Sequence, residues 1–209
     1  MSLKMIPESI SGNKVCGGYM ENIFMIDKSI SADDEKHRVC MVYTMGSNFN
    51  SIFSRMRVPD GHELSDPIGD TELYSYLSDR QDSIDAVTFT GGEPAIHPEI
   101  MDIMRHIKGY YGMEIGLFTN GTNPDMLFEI ICEGIAEYVT LDILSGRSKY
   151  DRASGVTVDD KLWKRICESC EMLIHEDEVT REFCTIAAGG FHTAEDFEEI
   201  RELVNGGDT

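Results

Sequence analysis

The sequence predicts an α/β fold, a partial (β/α)5–6 TIM-like barrel of parallel strands with outer helices. Two observations carry that expectation. Short apolar runs alternate with longer stretches of helical period along most of the 209 residues, the pattern of βα units joined by right-handed crossovers. The runs supply five clear strands and a sixth candidate, short of the eight that close a full barrel. Residues 1–37 read as an N-terminal extension with a first strand segment, and residues 38–209 as the barrel.

In chain order, Tyr19 to Asp27 is the first apolar segment, and the charged loop Asp33-Asp34-Glu35-Lys36 separates it from Arg38 to Met45, whose Val, Tyr and Thr content suits a strand. Further strands read as Ala86 to Thr90, Glu114 to Thr119, Glu137 to Leu144 and Arg181 to Ala187. Helices read as about Asp70 to Arg80, Pro98 to Tyr110, Pro124 to Ile135, Asp159 to Glu176 and Thr193 to Val204. Pro98 and Pro124 suit first-turn positions, where a missing N–H costs nothing, and Thr193-x-x-Asp196 resembles a capping box. Ile100, Ile103, Met104 and Ile107 then form one apolar stripe.

Composition excludes several classes of function. Eighteen basic against 38 acidic side chains give a formal charge of −20, which repels a phosphate backbone and an anionic membrane surface. Nucleic acid and membrane are therefore not expected partners. The chain shows neither a run long and apolar enough to span a bilayer nor the layout of a signal peptide, so the expected location is cytoplasmic. Six cysteines, at 16, 40, 132, 167, 170 and 184, lack the density of a disulfide framework. Cys40 and Cys184 fall within strand-like runs and read as buried thiols. Cys167-x-x-Cys170 lies within the helical pattern Leu162, Ile166, Cys170, Leu173, Ile174 and reads as core packing rather than a metal or redox pair.

Ligands in such folds bind at the C-terminal ends of the strands. Thr90-Gly91-Gly92-Glu93-Pro94 follows one strand, Thr119-Asn120-Gly121-Thr122 follows the next, and Asp142 ends the third. Adjacent glycines let backbone approach a ligand closely, and Glu93 is held extended by the proline after it. Each motif alone could be a simple turn. Three at successive strand ends point to a small-molecule site.

After the strand ending at Met45 comes Gly46-Ser47-Asn48-Phe49-Asn50-Ser51-Ile52-Phe53-Ser54-Arg55. Its serines are spaced by four and three, so cysteine at each would make Cys-x3-Cys-x2-Cys. From about Val39 to Val204 the chain resembles the radical S-adenosylmethionine superfamily, in which that motif follows the first barrel strand and Gly-Gly-Glu-Pro the second. Phe53 matches the aromatic residue that family places before its third cysteine.

The resemblance implies two cofactors: a [4Fe–4S] cluster held by three thiolates at the positions of Ser47, Ser51 and Ser54, and S-adenosylmethionine on the remaining iron, cleaved to a 5′-deoxyadenosyl radical. It implies that Gly91, Gly92, Glu93 and Pro94 cradle the methionine amino group, that Thr119, Asn120 and Asp142 lie near the methionine or ribose, and that Ile186 belongs to the adenine pocket. Serine is a hard, weakly acidic donor and a poor substitute for thiolate, so no stable cluster and no radical chemistry are expected of the chain as written. The serines read either as deliberate replacements or as those of a natural cluster-less relative.

Within the superfamily, Thr140-Leu141-Asp142-Ile143-Leu144 with Lys149-Tyr150 and Ser154-Gly155 resembles the activating enzymes of glycyl-radical enzymes, above all those of anaerobic ribonucleoside-triphosphate reductases. Leu144 stands where that group usually has lysine, whereas Arg181-Glu182-Phe183 and His192-Thr193-x-x-Asp196 agree with it. The implied partners are a glycyl-radical enzyme, attacked at a glycine Cα–H, and an electron donor such as flavodoxin or ferredoxin. The alternatives are a small-molecule enzyme of the 7-carboxy-7-deazaguanine synthase kind and a non-catalytic S-adenosylmethionine-binding protein. None of the histidines, His97 included, is required for the implied chemistry, because a radical and not a general base removes the hydrogen.

Overall fold

The architecture grows from strand β3 (His37–Thr44), because every later parallel strand adds to one side of it and two short strands add to the other. The computed structural model describes residues 24–27, 31–34, 37–51, 53 and 64–206. Strands β1 (Phe24–Ile26) and β2 (Ser31–Asp34) both pair antiparallel with β3, which is flanked beyond by β4 (Ala86–Gly91), β5 (Glu114–Thr119), β6 (Tyr138–Asp142) and β7 (Thr180–Cys184). From β3 to β7 each strand pairs parallel with the next in sequence. Parallel strands added in one direction by right-handed crossovers carry all their helices on one face, and the sheet curls with its other face concave. The partial barrel is thus present with five parallel strands. The apolar segment ending at Asp27 is not a sixth parallel strand: it runs antiparallel at the edge, Phe24 facing Thr44 and Ile26 facing Val42.

Side chains alternate across a strand, so residues in register share a face. On the helix side Cys40 and Val42, Val87 and Phe89, Ile115 and Leu117, and Val139 and Leu141 line up, all buried in one core. Burial of each larger apolar side chain stabilises the fold by roughly 1.5–3 kcal/mol. The concave side carries Thr88, Thr90, Gly116, Phe118 and Thr140. Gly116 is required there, since a Cβ on it would stand 2.5 Å from the Thr88 hydroxyl oxygen.

The helices are α1 (Asp70–Asp79), α2 (Ile100–His106), α3 (Pro124–Cys132), α4 (Tyr150–Ser154), α5 (Asp160–Ile174) and α6 (Ala194–Val204). Pro124 opens α3 after the Asn123 cap, Asp159 caps α5 through the Leu162 amide, and Thr193 and Asp196 form the expected capping box on α6. Pro98 stands before its helix rather than in it, because α2 begins at Ile100 and runs on as a π turn to Tyr111. Helix α5 turns Ile166, Ser169, Cys170 and Leu173 inward, so the Cys167-x-x-Cys170 pattern belongs to core packing. Helix α4 was not foreseen. Its signal is short: Tyr150 and Ala153 are buried, and Gly155 closes it at φ +70°. Among the described residues no helix is long and apolar enough to cross a membrane.

Candidate functional site

The βα loops after β3, β4 and β5 meet at the C-terminal edge of the sheet, and the first contact is backbone on backbone. Gly91 lies at φ +98°, and a Cβ on it would come within 2.8 Å of the Thr44 amide nitrogen; one on Gly92 would fall 1.7 Å from the Gly46 carbonyl oxygen. The amides of Gly92 and Glu93 donate to the carbonyls of Thr44 (2.8 Å) and Gly46 (2.9 Å). The glycine pair therefore lets the second loop lie flush against the first, in addition to opening backbone to the space above.

Glu93 is 1% exposed. Its Oε1 accepts from the Ala95 amide (3.0 Å) and the Thr119 hydroxyl (2.6 Å), and its Oε2 accepts from the Asn120 amide (2.7 Å). Three donors, two of them backbone, meet a buried carboxylate, which ties the end of β4 to the end of β5. Pro94 is buried and starts the short 3-10 turn Pro94–Ile96 that leads away from the site.

A second tie reaches the serine loop. Asn120 Nδ2 donates to Asn48 Oδ1 (2.8 Å), Asn48 Nδ2 donates to the Thr122 hydroxyl (2.7 Å), and Asn120 Oδ1 accepts from the Thr122 amide and hydroxyl (3.1 and 2.7 Å). From behind, Arg165 of α5 donates to the Thr122 carbonyl (2.9 Å) and Ser169 to the Gly121 carbonyl (2.8 Å). Gly121, at φ +72°, has no room for a Cβ beside Leu141. The sequence offers Asn48 only as a member of the serine loop and Thr122 only as the end of a turn motif, with no role for either side chain. Their signal was proximity, since each is the polar neighbour of a residue already singled out.

The serine loop is ordered by its own hydroxyls and by aromatic contacts. Ser47 Oγ accepts from the Phe49 amide and Ser51 Oγ from the Phe53 amide, both at 3.1 Å. The Asn50 amide donates to the Ser154 carbonyl (2.8 Å), and Gly155 lies so near that a Cβ there would meet the Asn50 carbonyl oxygen at 2.4 Å. Phe49 packs edge-on to Tyr150, whose phenol pKa burial pushes up. Phe53, 1% exposed, packs against Phe191 and His192. His192 accepts from the Ala188 amide at Nδ1 (3.0 Å), which leaves Nε2–H to donate to the Leu144 carbonyl (2.8 Å). Lys149 reaches the buried Asp196 carboxylate and the Phe191 carbonyl, so the loop after β7 is pinned in turn. Ser54 lies outside the described residues.

These loops border a partly open cleft. Ser47, Phe49, Ser51, Phe53, Thr90, Gly91, Gly92, Glu93, Phe118 and Asn120, from the first three parallel strands and their loops, line it together with Asp142, Leu144, Cys184 and Ile186 from the last two. The structure thus brings nearly all the described candidates to one cavity. Thr119 is instead buried beside it, spending its hydroxyl on Glu93. Cys184 corrects an expectation. It is half-buried on the concave side, in register with Asp142, and its side lines the cleft instead of the core.

The glycine turn, Ser47, Ser51 and Asn120 make one part of this space polar and rimmed with backbone, and Leu144, Cys184 and Ile186 make the wall beside Asp142 apolar. That arrangement fits a zwitterionic head joined to an aromatic nucleoside, as in S-adenosylmethionine. The donor set does not fit an iron–sulfur cluster. Ser47 and Ser51 offer hydroxyl oxygens that already accept backbone amides, where the cluster takes thiolates.

Comparison with known proteins places the chain in a superfamily. The sequence model of the Radical SAM superfamily matches residues 62–204, which is more than half of the chain and begins after the serine loop. A protein of Methanocaldococcus jannaschii named for glycyl-radical enzyme activation is 29% identical over 126 residues, covering 57% of this chain and 50% of that one. A protein of Pyrococcus horikoshii named as a GTP 3′,8-cyclase is 36% identical over 91 residues, covering 43% of this chain and 29% of its own. The chain thus matches half or less of the length of these relatives. Among solved structures, archaeal TYW1 superposes with a TM-score of 0.53 at 15% identity, covering 81% of this chain and 61% of that one, a likeness of fold.

Proposed function

Because the chain belongs to the radical SAM superfamily, we propose that its cleft binds S-adenosylmethionine and that a cysteine-bearing counterpart activates a glycyl-radical enzyme. The observation that carries this reading is the convergence of Gly91, Gly92 and Glu93, Ser47 and Ser51 of the serine loop, and Asp142 on one cavity. The methionine head would lie against the glycine turn, with Asn120 and Asp142 toward the ribose and Ile186 toward the adenine. Glu93 acts chiefly as the fixed anion beneath that turn, since three donors already hold its carboxylate. In a counterpart with cysteines at 47, 51 and 54, those thiolates would hold a [4Fe–4S] cluster, which would supply the one-electron chemistry of the superfamily. The chain as written binds the ligand without that chemistry.

The likeness to a protein named for glycyl-radical enzyme activation supports a protein substrate, and an open cleft edge suits an incoming glycine loop. Flavodoxin or ferredoxin would serve as electron donor. The likeness to proteins named as GTP 3′,8-cyclases supports a second reading, a small-molecule substrate in the same cleft. Restoring cysteine at the three serines and reconstituting anaerobically should load about four irons per chain and give reductive cleavage of S-adenosylmethionine. A colourless triple-cysteine protein would overturn the proposal. A glycyl-radical signal on a partner reductase, as against turnover of GTP, decides between the two substrate classes.

A further inference from the structure

We propose that Asn48 is the positioning residue of the site, the group whose amide holds residues 47–49 at the rim of the cleft; this rests on the reading of the cleft as a ligand site. Backbone bonds anchor the loop on either side of this stretch, at the Gly46 carbonyl, which accepts from Glu93, and at the Asn50 amide, which donates to Ser154. Between them the Phe49 ring packs on Tyr150, while its backbone amide turns back on Ser47 of the same segment. Asn48 reaches out of it, with both halves of its amide engaged: Oδ1 accepts from Asn120 Nδ2 (2.8 Å) and Nδ2 donates to the Thr122 hydroxyl (2.7 Å).

An amide, with one acceptor and one donor, meets both demands of this place. Asn120 Oδ1 is already spent on the Thr122 amide and hydroxyl, so Asn120 presents only its NH2 to the loop. The Thr122 hydroxyl gives its proton to Asn120, so it presents only a lone pair. The partner must therefore accept from one and donate to the other. A carboxylate lacks the donor, and an ammonium lacks the acceptor. The two neighbours are themselves fixed, Asn120 through its amide on Glu93 and Thr122 through its carbonyl on Arg165. Asn48 thus ties the serine loop to the same polar frame that holds the glycine turn. The frame needs no metal ligand to do so.

A double-mutant cycle tests this on the chain as written, with Asn48→Ala, Thr122→Val and the pair, the valine keeping the shape of threonine. Amide hydrogen exchange is read at Phe49, Asn50 and Ser51, with the α5 amides as the control for global folding, and S-adenosylmethionine affinity is read by calorimetry. Asn48→Ala should speed exchange at the three loop amides about tenfold and weaken S-adenosylmethionine about tenfold, the loss of two modest hydrogen bonds. Thr122→Val should give a smaller effect of the same kind. The double variant should exceed Asn48→Ala only by the lost Thr122–Asn120 bond and fall short of the product of the two single effects, because the bond between Asn48 and Thr122 is lost only once. Effects that multiply in the double variant, or loop exchange within twofold of the parent in Asn48→Ala, would overturn the proposal. Should no variant and no parent bind S-adenosylmethionine, the ligand reading fails, while the exchange cycle still decides the role of Asn48.

Discussion

Replacing Glu93 by glutamine exchanges one carboxylate oxygen for an NH2 and puts a definite load on the frame. The carboxylate accepts on both oxygens, whereas an amide has one acceptor and one donor. With the amide oxygen at the Oε1 place, Ala95 and Thr119 keep their bonds, but the new NH2 stands 2.7 Å from the Asn120 nitrogen, donor against donor. Turning the amide over moves the same conflict to the Ala95 nitrogen. Either way one buried backbone N–H loses its acceptor, at about 1–3 kcal/mol, and the surviving bonds lose their charge assistance. The sum is about 3 kcal/mol, which for a domain of this size lowers Tm by roughly 6–12 °C. Urea titration followed by circular dichroism should show the midpoint fall with an unchanged slope. Glu99→Gln, at an exposed helix cap without a side-chain bond, should differ from the parent by less than about 0.5 kcal/mol. A Glu93→Gln midpoint indistinguishable from the parent would refute the view that this carboxylate ties β4 to β5.

Two further outcomes follow from buried groups. Lys149 first, and then the Thr193 amide, hold the Asp196 carboxyl down at about 2, below its ordinary 3.8. A depressed carboxyl lends stability that is complete above its unfolded value and is lost as pH falls from about 4 through 2. Asp196→Asn should flatten that acid limb in thermal melts taken from pH 5 to pH 2. Burial pushes the Cys40 thiol up to about 12, and Cys170 is 1% exposed, whereas Cys132 is exposed. A neutral-pH thiol reagent followed by peptide mass spectrometry should mark Cys132 in the native protein, and Cys40 and Cys170 only after denaturation.

Much of this was legible in the sequence because it rests on local chemistry. The five parallel strands follow from β-branched runs set between capped helices, and Thr193 and Asp196 announced their capping box three residues apart. The motifs at strand ends were legible because topology sends such ends to one rim. The misread parts depend on partners distant in sequence. The segment ending at Asp27 is as apolar as a barrel strand, and only its pairing with β3 makes it antiparallel. Cys184 sits in an apolar run, yet the register with Asp142 puts it on the concave side. The bridge from Asn48 to Asn120 and Thr122 spans more than 70 residues, and no spacing rule reports it.

The unreversed strand order from β3 to β7 divides the cleft along the chain. Everything that grips its polar end comes from the first three parallel strands and their loops, while the opposite wall, Asp142, Leu144, Cys184 and Ile186, arrives later. Anchoring and selection are therefore separable by recombination. A graft that exchanges β6, β7 and their loops can recast the far wall while the glycine turn stays as it is, provided that the residues bracing the polar end travel unchanged: Arg165 and Ser169 behind the polar frame, and Tyr150, Ser154, Gly155, Phe191 and His192 against the serine loop.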